Sequence, residues 1–192
     1  MNSVYEKPHC IGMFKIYLIG MKGVGKSTFI KSFSPYKFDT ITKLTLGFYF
    51  LKYDYPFKSR NKNEFITFQI WVSTLERRFE SLVYNYLTGS QVILMMFDIS
   101  NLTSLNGIDS WMEVIRKRFP KYNIPIMLLG NKADLTEHLK PAKALADSIV
   151  KRFDLMGYYE ISSLKSKNIE PTLKAMADFI LKNHYPNLTK SS

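Results

Sequence analysis

Apolar positions along this chain fall in short runs that alternate with amphipathic stretches. Three runs are almost continuously hydrophobic, which is typical of strands buried on both faces of a parallel sheet. They lie at residues 14–19, 92–99 and 126–129. Two aromatic-rich stretches, 45–55 and 64–72, enclose the polar residues 56–63 and predict an antiparallel hairpin. The pattern as a whole predicts an α/β fold built on a mostly parallel sheet.

Between the strands, apolar residues recur every three or four positions, as they do along one face of a helix. The predicted helices cover residues 27–33, 75–87, 104–119, 141–153 and 168–183, and residues 158–161 form a further strand. Residues 1–13 and 34–44 show neither period, so we expect a loose arm and a loop there. The 192 residues suffice for one domain over 14–183 with helices on both faces of the sheet, followed by a short tail at 184–192.

A glycine-rich loop follows the first predicted strand at once. It reads Gly20, Met21, Lys22, Gly23, Val24, Gly25, Lys26 and Ser27, and it fits the pattern G-x-x-x-x-G-K-[ST]. Glycines let successive N–H groups point inward at phosphate oxygens, and the N-terminus of the following helix adds partial positive charge. We expect Lys26 to reach the β- and γ-phosphates and Ser27 to bind Mg²⁺. The predicted phosphate-binding residues are Gly20, Gly23, Val24, Gly25, Lys26, Ser27 and Thr28; the alternative is an ordinary glycine turn.

A second motif, Asn131-Lys132-Ala133-Asp134, comes directly after the apolar run at 126–129 and Gly130. A carboxylate at the end of a pocket accepts two hydrogen bonds from the N1–H and 2-amino groups of guanine, a pair of donors that adenine lacks on that edge. We therefore expect Asp134 to select guanine, since the wrong base leaves a buried polar group unpaired. The stem of Lys132 is expected to lie along the base. The alternative is a helix-capping turn.

Ligands bind parallel sheets at the carboxyl ends of the strands. The glycine loop, Asp98, Asn131 and Ser162 all follow predicted strands directly, so we expect them to meet at one edge of the sheet.

Charge and composition narrow the functional classes. The net charge of +11 is scattered along the chain, and no nucleic-acid-binding motif is present, so we expect no specific nucleic-acid partner. Cys10 is the only cysteine, so we expect no internal disulfide and no C-terminal prenylation, and with Asn2 after the first methionine we expect no N-myristoylation. With no apolar run of about 20 residues and no signal-peptide pattern, we expect a cytoplasmic protein without a lipid anchor, whose membrane contact is at most peripheral.

The two motifs make the chain similar to the small GTPases of the Ras superfamily, most closely to the Rab branch. The similarity extends from residue 14 to about residue 183 and implies six strands, five helices, and GTP or GDP with Mg²⁺ as ligands. The segment Thr45-Leu46-Gly47-Phe48 resembles the Rab sequence T-I-G-V, and Phe68-Gln69-Ile70-Trp71 resembles the Rab strand L-Q-I-W.

The resemblance also implies roles for residues outside the two motifs. Phe38 falls where the family keeps an aromatic ring against the guanine face. Thr45 falls where the first switch threonine ligates Mg²⁺ and contacts the γ-phosphate. The residues Ser162, Ser163 and Leu164 fall on the S-A-K base loop, with Leu164 in place of the lysine. Effector or regulator proteins are expected to bind through residues 38–47 and 73–79.

The second switch departs from the family pattern W-D-T-A-G-Q-E-R-F. Val72 replaces the aspartate that holds Mg²⁺ from a second layer, Leu75 replaces the glycine that senses the γ-phosphate, and Glu76 replaces the water-orienting glutamine. Because Glu76 is negative beside a negative γ-phosphate, we expect slow or absent GTP hydrolysis. Lys22, in a loop position that many relatives keep as glycine, is a candidate for supplying positive charge there; the alternative is a solvent-facing lysine.

Three functional classes remain open on the sequence. The first is a GTPase switch that cycles with hydrolysis supplied by a partner protein, which the intact Thr45 favours. The second is a nucleotide-binding scaffold with a degenerate second switch, which Val72, Leu75 and Glu76 favour. The third is another phosphate-loop enzyme such as a nucleotide kinase, which the motif from Asn131 to Asp134 argues against.

Overall fold

A computed structural model of the chain describes residues 8–33, 42–44, 48–58, 63–73, 86–118, 124–135 and 139–189. Its strands are β1 His9–Ile19, β2 Thr42–Leu44, β3 Phe48–Lys58, β4 Asn63–Ser73, β5 Val92–Asp98, β6 Ile126–Asn131 and β7 Gly157–Glu160. Its helices are α1 Lys26–Phe33, α2 Ile108–Arg118, α3 Leu139–Phe153, α4 Ile169–His184 and the short α5 Pro186–Thr189, with a 3-10 turn at Leu102–Leu105.

The strands form one sheet in the order β2-β3-β4-β1-β5-β6-β7. From β4 onward every neighbouring pair is parallel, while β3 pairs antiparallel with both β2 and β4. The predicted α/β fold with a mostly parallel sheet is confirmed, and the three-residue strand β2 extends the expected six strands at one edge.

The sheet is covered on both faces by apolar clusters, as the continuous hydrophobic runs predict. Every residue of β5 and of β6 is buried. One cluster joins alternate residues of β1, β4 and β5 to α1 and α4. The other joins the intervening residues of β1 and β5 to α2 and α3, with Trp71 of β4 packed against it. No helix among the described residues is long and apolar enough to cross a membrane.

The first strand begins earlier than the sequence predicts. Residues 9–13, expected in a loose arm, pair with β4 from His9↔Glu64 onward, with a shift in register between Cys10 and Gly12. The C-terminal end of α4 supports this extension, because the Tyr185 hydroxyl donates a 2.6 Å hydrogen bond to the Ile11 carbonyl oxygen. The prediction failed because both partners of this segment are remote in sequence.

Three other predicted boundaries were wrong. The hairpin is confirmed, but β3 runs on through Pro56 to Lys58 and pairs there with the start of β4, so its turn is shorter than 56–63. Residues 42–44, expected in a loop, form β2. The helix expected at 104–119 begins at Ile108, because the Asn101 side chain caps a separate 3-10 turn. The helix expected at 75–87 lies outside the described residues except for its last two.

Candidate functional site

The loop between β1 and α1 has the backbone geometry that its glycines predict. Gly20 has φ +152°, and a Cβ there would lie 2.3 Å from the Met96 carbonyl oxygen. Gly25 has φ +101°, and a Cβ there would lie 2.2 Å from Asn131 Nδ2. Both positions therefore require glycine for two reasons: the backbone has a positive φ, and a neighbouring atom leaves no room for a Cβ.

Lys26 folds its side chain back under this loop. Its Nζ donates to the carbonyl oxygens of Gly20 at 2.6 Å and of Met21 at 3.0 Å, and the residue is only 8% exposed. Burial lowers the pKa of Lys26 to about 8. The partners of this buried ammonium are neutral carbonyls, so an anion placed beside it would stabilise its charge. Lys26 is also the first residue of α1, and the N-terminus of a helix favours an anion.

Asn131 joins the glycine loop to the loop after β7. Its Nδ2 donates to the Val24 carbonyl oxygen at 2.8 Å. Its Oδ1 accepts from the Ser163 backbone N–H at 3.0 Å and from the Ser163 hydroxyl at 2.8 Å. Asn131 is 1% exposed, and its side chain joins the end of β6 directly to the glycine loop and to the loop after β7.

Asp134 and Ser162 meet at the outer end of the same edge. The Ser162 hydroxyl donates to Asp134 Oδ1, and Ser162 Oγ accepts from the Lys165 backbone N–H at 3.1 Å. Ser162 is fully buried, whereas Asp134 is exposed. An ionised carboxylate has two acceptor oxygens, so Asp134 is suited to paired N–H donors.

Asp98 is a member of this site to which the sequence analysis assigned no role. It ends the apolar strand β5, and its Oδ2 lies 2.6 Å from Lys132 Nζ. Its Oδ1 accepts from the Ser100 backbone N–H at 2.9 Å and from the Ser100 hydroxyl at 2.6 Å. Burial alone would raise the pKa of Asp98, but the hydrogen bonds from Lys132 and Ser100 outweigh it and lower that pKa. The signal available in the sequence was a carboxylate at the end of an otherwise apolar run.

The structure thus brings Gly20, Gly23, Val24, Gly25, Lys26, Asn131, Lys132, Asp134, Ser162 and Ser163 to one edge of the sheet. Ser27 and Thr28 are exposed in the first turn of α1, Lys22 is exposed at the tip of the loop, and Leu164 is 69% exposed. The predicted residues Phe38, Thr45 and Glu76, together with Leu75, lie outside the described residues.

Val72, at the end of β4, has an apolar environment. It pairs with Leu18 of β1 and with Tyr49 of β3, and it is fully buried. Its cluster includes Val24 and Phe29, from the glycine loop and α1. Where the resemblance implies a carboxylate, this chain therefore has a well-packed hydrocarbon side chain.

Comparisons with known proteins agree with this geometry. The sequence model of the Ras family matches residues 15–182. The chain is 30% identical over 182 residues to the GTP-binding protein YPT1 of Saccharomyces cerevisiae, which covers 92% of this chain and 81% of that protein. It is also 30% identical over 182 residues to the Ras-related protein RABD2a of Arabidopsis thaliana, with 92% and 82% covered. The resemblance seen in the motifs is confirmed, and the chain belongs to the Ras family as a Rab-like small GTPase.

Proposed function

We propose that this protein binds GTP and GDP at the edge of the sheet described above, hydrolyses GTP slowly or not at all, and acts as a switch or scaffold for protein partners. The observation that carries the proposal is the Asn131 side chain, which joins the glycine loop to the loop after β7, where the Ser162 hydroxyl bonds to Asp134. The phosphate-binding and base-reading groups are thereby held in one hydrogen-bonded unit.

At the phosphate end, the proposed contacts are the N–H groups of residues 23–28 and the Lys26 ammonium. An ammonium has three donors, and two of those of Lys26 go to the carbonyls of Gly20 and Met21. The third donor is the one that we propose bonds to a phosphate oxygen. A phosphate bound there compensates the desolvation that lowers the pKa of Lys26.

At the base end, we assign guanine selection to Asp134. The hydroxyl of buried Ser162 orients its carboxylate by bonding to Oδ1. Two charge-assisted hydrogen bonds from guanine to this carboxylate are worth about 1.5–3 kcal/mol each. Phe38 and the stem of Lys132 are the proposed contacts on the two faces of the base, with Ser163 and Leu164 supplying backbone groups.

We propose that Mg²⁺ binds this site only together with the nucleotide, whose phosphate oxygens supply some of its ligands. No three His, Cys, Asp or Glu side chains cluster as metal ligands in the described part of the chain. Ser27 is the one proposed ligand within that part, Thr45 is the other, and Val72 offers no oxygen. Mg²⁺ is commonly held by few protein groups plus phosphate oxygens and water, which is the arrangement these residues permit.

Slow hydrolysis follows from the second switch. Hydrolysis by this family requires a positioned water and stabilisation of charge spread over the phosphoryl oxygens. Glu76 places a negative charge where a neutral amide is expected, and buried Val72 removes the carboxylate that supports Mg²⁺. Lys22 at the exposed loop tip is the proposed compensating charge.

Proteins of the Ras and Rab families bind effector and regulator proteins. We propose that this chain does so through residues 38–47 and 73–79. The neighbouring sheet surface supports that assignment, because the Trp71 ring stacks on Phe50 at 5.0 Å and lies 5.7 Å from Tyr86 between ring centroids. All three rings are half-buried, so each leaves apolar surface with which a partner protein can make contact.

The first experiment measures nucleotide binding. Purified protein should retain GDP or GTP, detected by mass spectrometry, and should bind fluorescent GDP far more tightly than fluorescent ADP. Asp134→Asn should weaken GDP binding by at least about 100-fold and shift preference toward xanthine nucleotides. The control is Asp147→Asn, which alters an exposed ion pair with Lys143 on α3. Equal affinity for adenine nucleotides would refute the proposal.

The second experiment measures hydrolysis and switching. In a single-turnover assay the rate should fall clearly below the order of 10⁻⁴ s⁻¹ seen for an unassisted small GTPase; a rate at that level refutes slow hydrolysis. Limited proteolysis with GTP and with GDP then separates the two roles. A cleavage pattern within 38–47 or 73–79 that depends on the nucleotide indicates a switch, and an identical pattern indicates a scaffold.

A further inference from the structure

The ion pair between Asp98 and Lys132 joins two different strand ends of the site. Asp98 closes β5 and Lys132 follows β6, and their side chains meet at 2.6 Å. The side chain of Asp98 is 10% exposed and that of Lys132 is 30% exposed, so the contact is largely removed from water. Electrostatic contacts of this kind are stronger than those at the surface.

Neighbouring polar groups hold both the carboxylate and the backbone of Asp98 in place. Ser100 occupies Oδ1 with two hydrogen bonds, which leaves Oδ2 for Lys132. The Asp98 backbone N–H donates to the Ser104 hydroxyl at 2.9 Å, which fixes the strand end itself. The carboxylate is therefore anchored before Lys132 is considered.

Lys132, in contrast, has an unfavourable backbone conformation and a flexible side chain. Its φ is +65°, in the left-handed region that a lysine seldom adopts. A flexible four-carbon stem would sample many rotamers there, and ordering one such side chain costs on the order of 2 kcal/mol. The ion pair with Asp98 orders that stem before any ligand binds.

We propose that Asp98 is a positioning residue for guanine nucleotide: by holding the Lys132 ammonium, it fixes the Lys132 stem as a preformed wall for the base. This inference rests on the proposed function, since the wall is useful only to a bound nucleotide. Because the Lys132 side chain is ordered when the protein folds, its conformational entropy is not lost again when nucleotide binds. The bound state is therefore more favourable, and we expect nucleotide release to be slower.

The test is the dissociation rate of fluorescent GDP from the full chain. Asp98→Asn keeps the shape of the side chain and its contact with Ser100 but removes the charge that holds Lys132. We expect release about 10-fold faster than from the unaltered protein. The matched control is Asp109→Asn, which removes an exposed carboxylate paired with Arg152 on α3 and should leave the rate unchanged.

A double-mutant cycle separates positioning from a general structural effect. If Asp98 acts through Lys132, then Asp98→Asn should add less than about twofold to the rate in a Lys132→Met background. An equal acceleration in both backgrounds overturns the inference, as does a rate for Asp98→Asn alone within twofold of the unaltered protein. If Asp98→Asn does not fold, Asp98→Ser replaces it, and the same GDP release rates are measured with and without Lys132→Met.

Failure of the inference is distinguishable from failure of the proposed function. If the unaltered chain binds no guanine nucleotide, both the proposed function and the role of Asp98 are overturned. If it binds GDP and Asp98→Asn releases it at the same rate, only the role of Asp98 is overturned.

Discussion

The base end of the site and the end of β4 lie on the same edge of the sheet but have opposite character. At the base end, Asn131, Ser162 and Ser163 are buried polar residues whose hydrogen bonds are made within the site. At the end of β4, Val72 is fully buried among apolar side chains. One region is held by directional bonds and the other by hydrophobic packing.

The two regions therefore differ in what they can offer to a nucleotide. Directional bonds keep a specific geometry, and the base end retains the groups that a guanine nucleotide needs. Packing around Val72 keeps the strand in place but offers no ligand to a metal or to water. The contrast supports separating nucleotide binding, which we propose is retained, from hydrolysis, which we propose is weak.

The largest expected effect comes from removing the polar link at the base end. Asn131→Ala leaves the Val24 carbonyl and both Ser163 donors without this partner, so the free energy of unfolding should fall by about 4 kcal/mol. Denaturant unfolding measures it. Asn183→Ala, which removes an exposed bond to the Phe179 carbonyl, should cost far less. Similar losses in the two variants would contradict the central role of Asn131.

The reciprocal change places a carboxyl group in the apolar region. Val72→Asp should destabilise the nucleotide-free protein by about 3 kcal/mol, because an acid is buried without a designed partner. Val72→Thr, of similar shape, should cost less. Chemical denaturation of all three proteins with and without Mg²⁺ and GTP tests this comparison. If Val72→Asp is as stable as the unaltered protein without ligand, the surroundings of residue 72 are more polar than the contacts of Val72 indicate.

The Lys26 ammonium gives the site a pH dependence. Its pKa falls from 10.5 to about 8 on folding, so between these values the unfolded chain holds a proton that the native protein has lost. Stability of the nucleotide-free protein should therefore rise between pH 8 and 9.5, by about 1.5 kcal/mol from this group. Phosphate affinity should fall over the same range, since the loop loses its charge.

Thermal and denaturant unfolding of Lys26→Met over the same pH range isolates this contribution. The variant should lack the rise. Lys143→Met, which removes an exposed lysine on α3, should keep it. A rise of the same size in Lys26→Met would assign the pH dependence to another group.

The smallest expected effect lies at the opposite end of β1, away from both regions. Tyr185→Phe removes the hydrogen bond to the Ile11 carbonyl and should lower the free energy of unfolding by about 1 kcal/mol. Hydrogen exchange of residues 9–13 should increase with it. Unchanged exchange would mean that β4 alone holds this part of β1.

Much of the fold and of the site could be predicted from local pattern. The continuous apolar runs at β5 and β6 predicted buried parallel strands, and all their residues are buried. The motif predicted a tight glycine loop between strand and helix, and the positive φ of Gly20 and Gly25 between β1 and α1 shows why glycine is needed at those two positions. The start of β1 at His9 was not predicted, because its stabilising partners on β4 and at Tyr185 are far away in sequence.

The family, the alternation of strands and helices, and the chemical groups available at the site could all be inferred from residue types at fixed local spacings. How those groups are held became visible only in the folded chain. The bond from Asn131 to Val24 spans 107 residues, and the ion pair of Asp98 with Lys132 joins two strands. The sequence pattern predicted that these strand ends meet at one edge of the sheet, but it did not predict which side chains bond there, because that depends on distances between residues far apart in the chain.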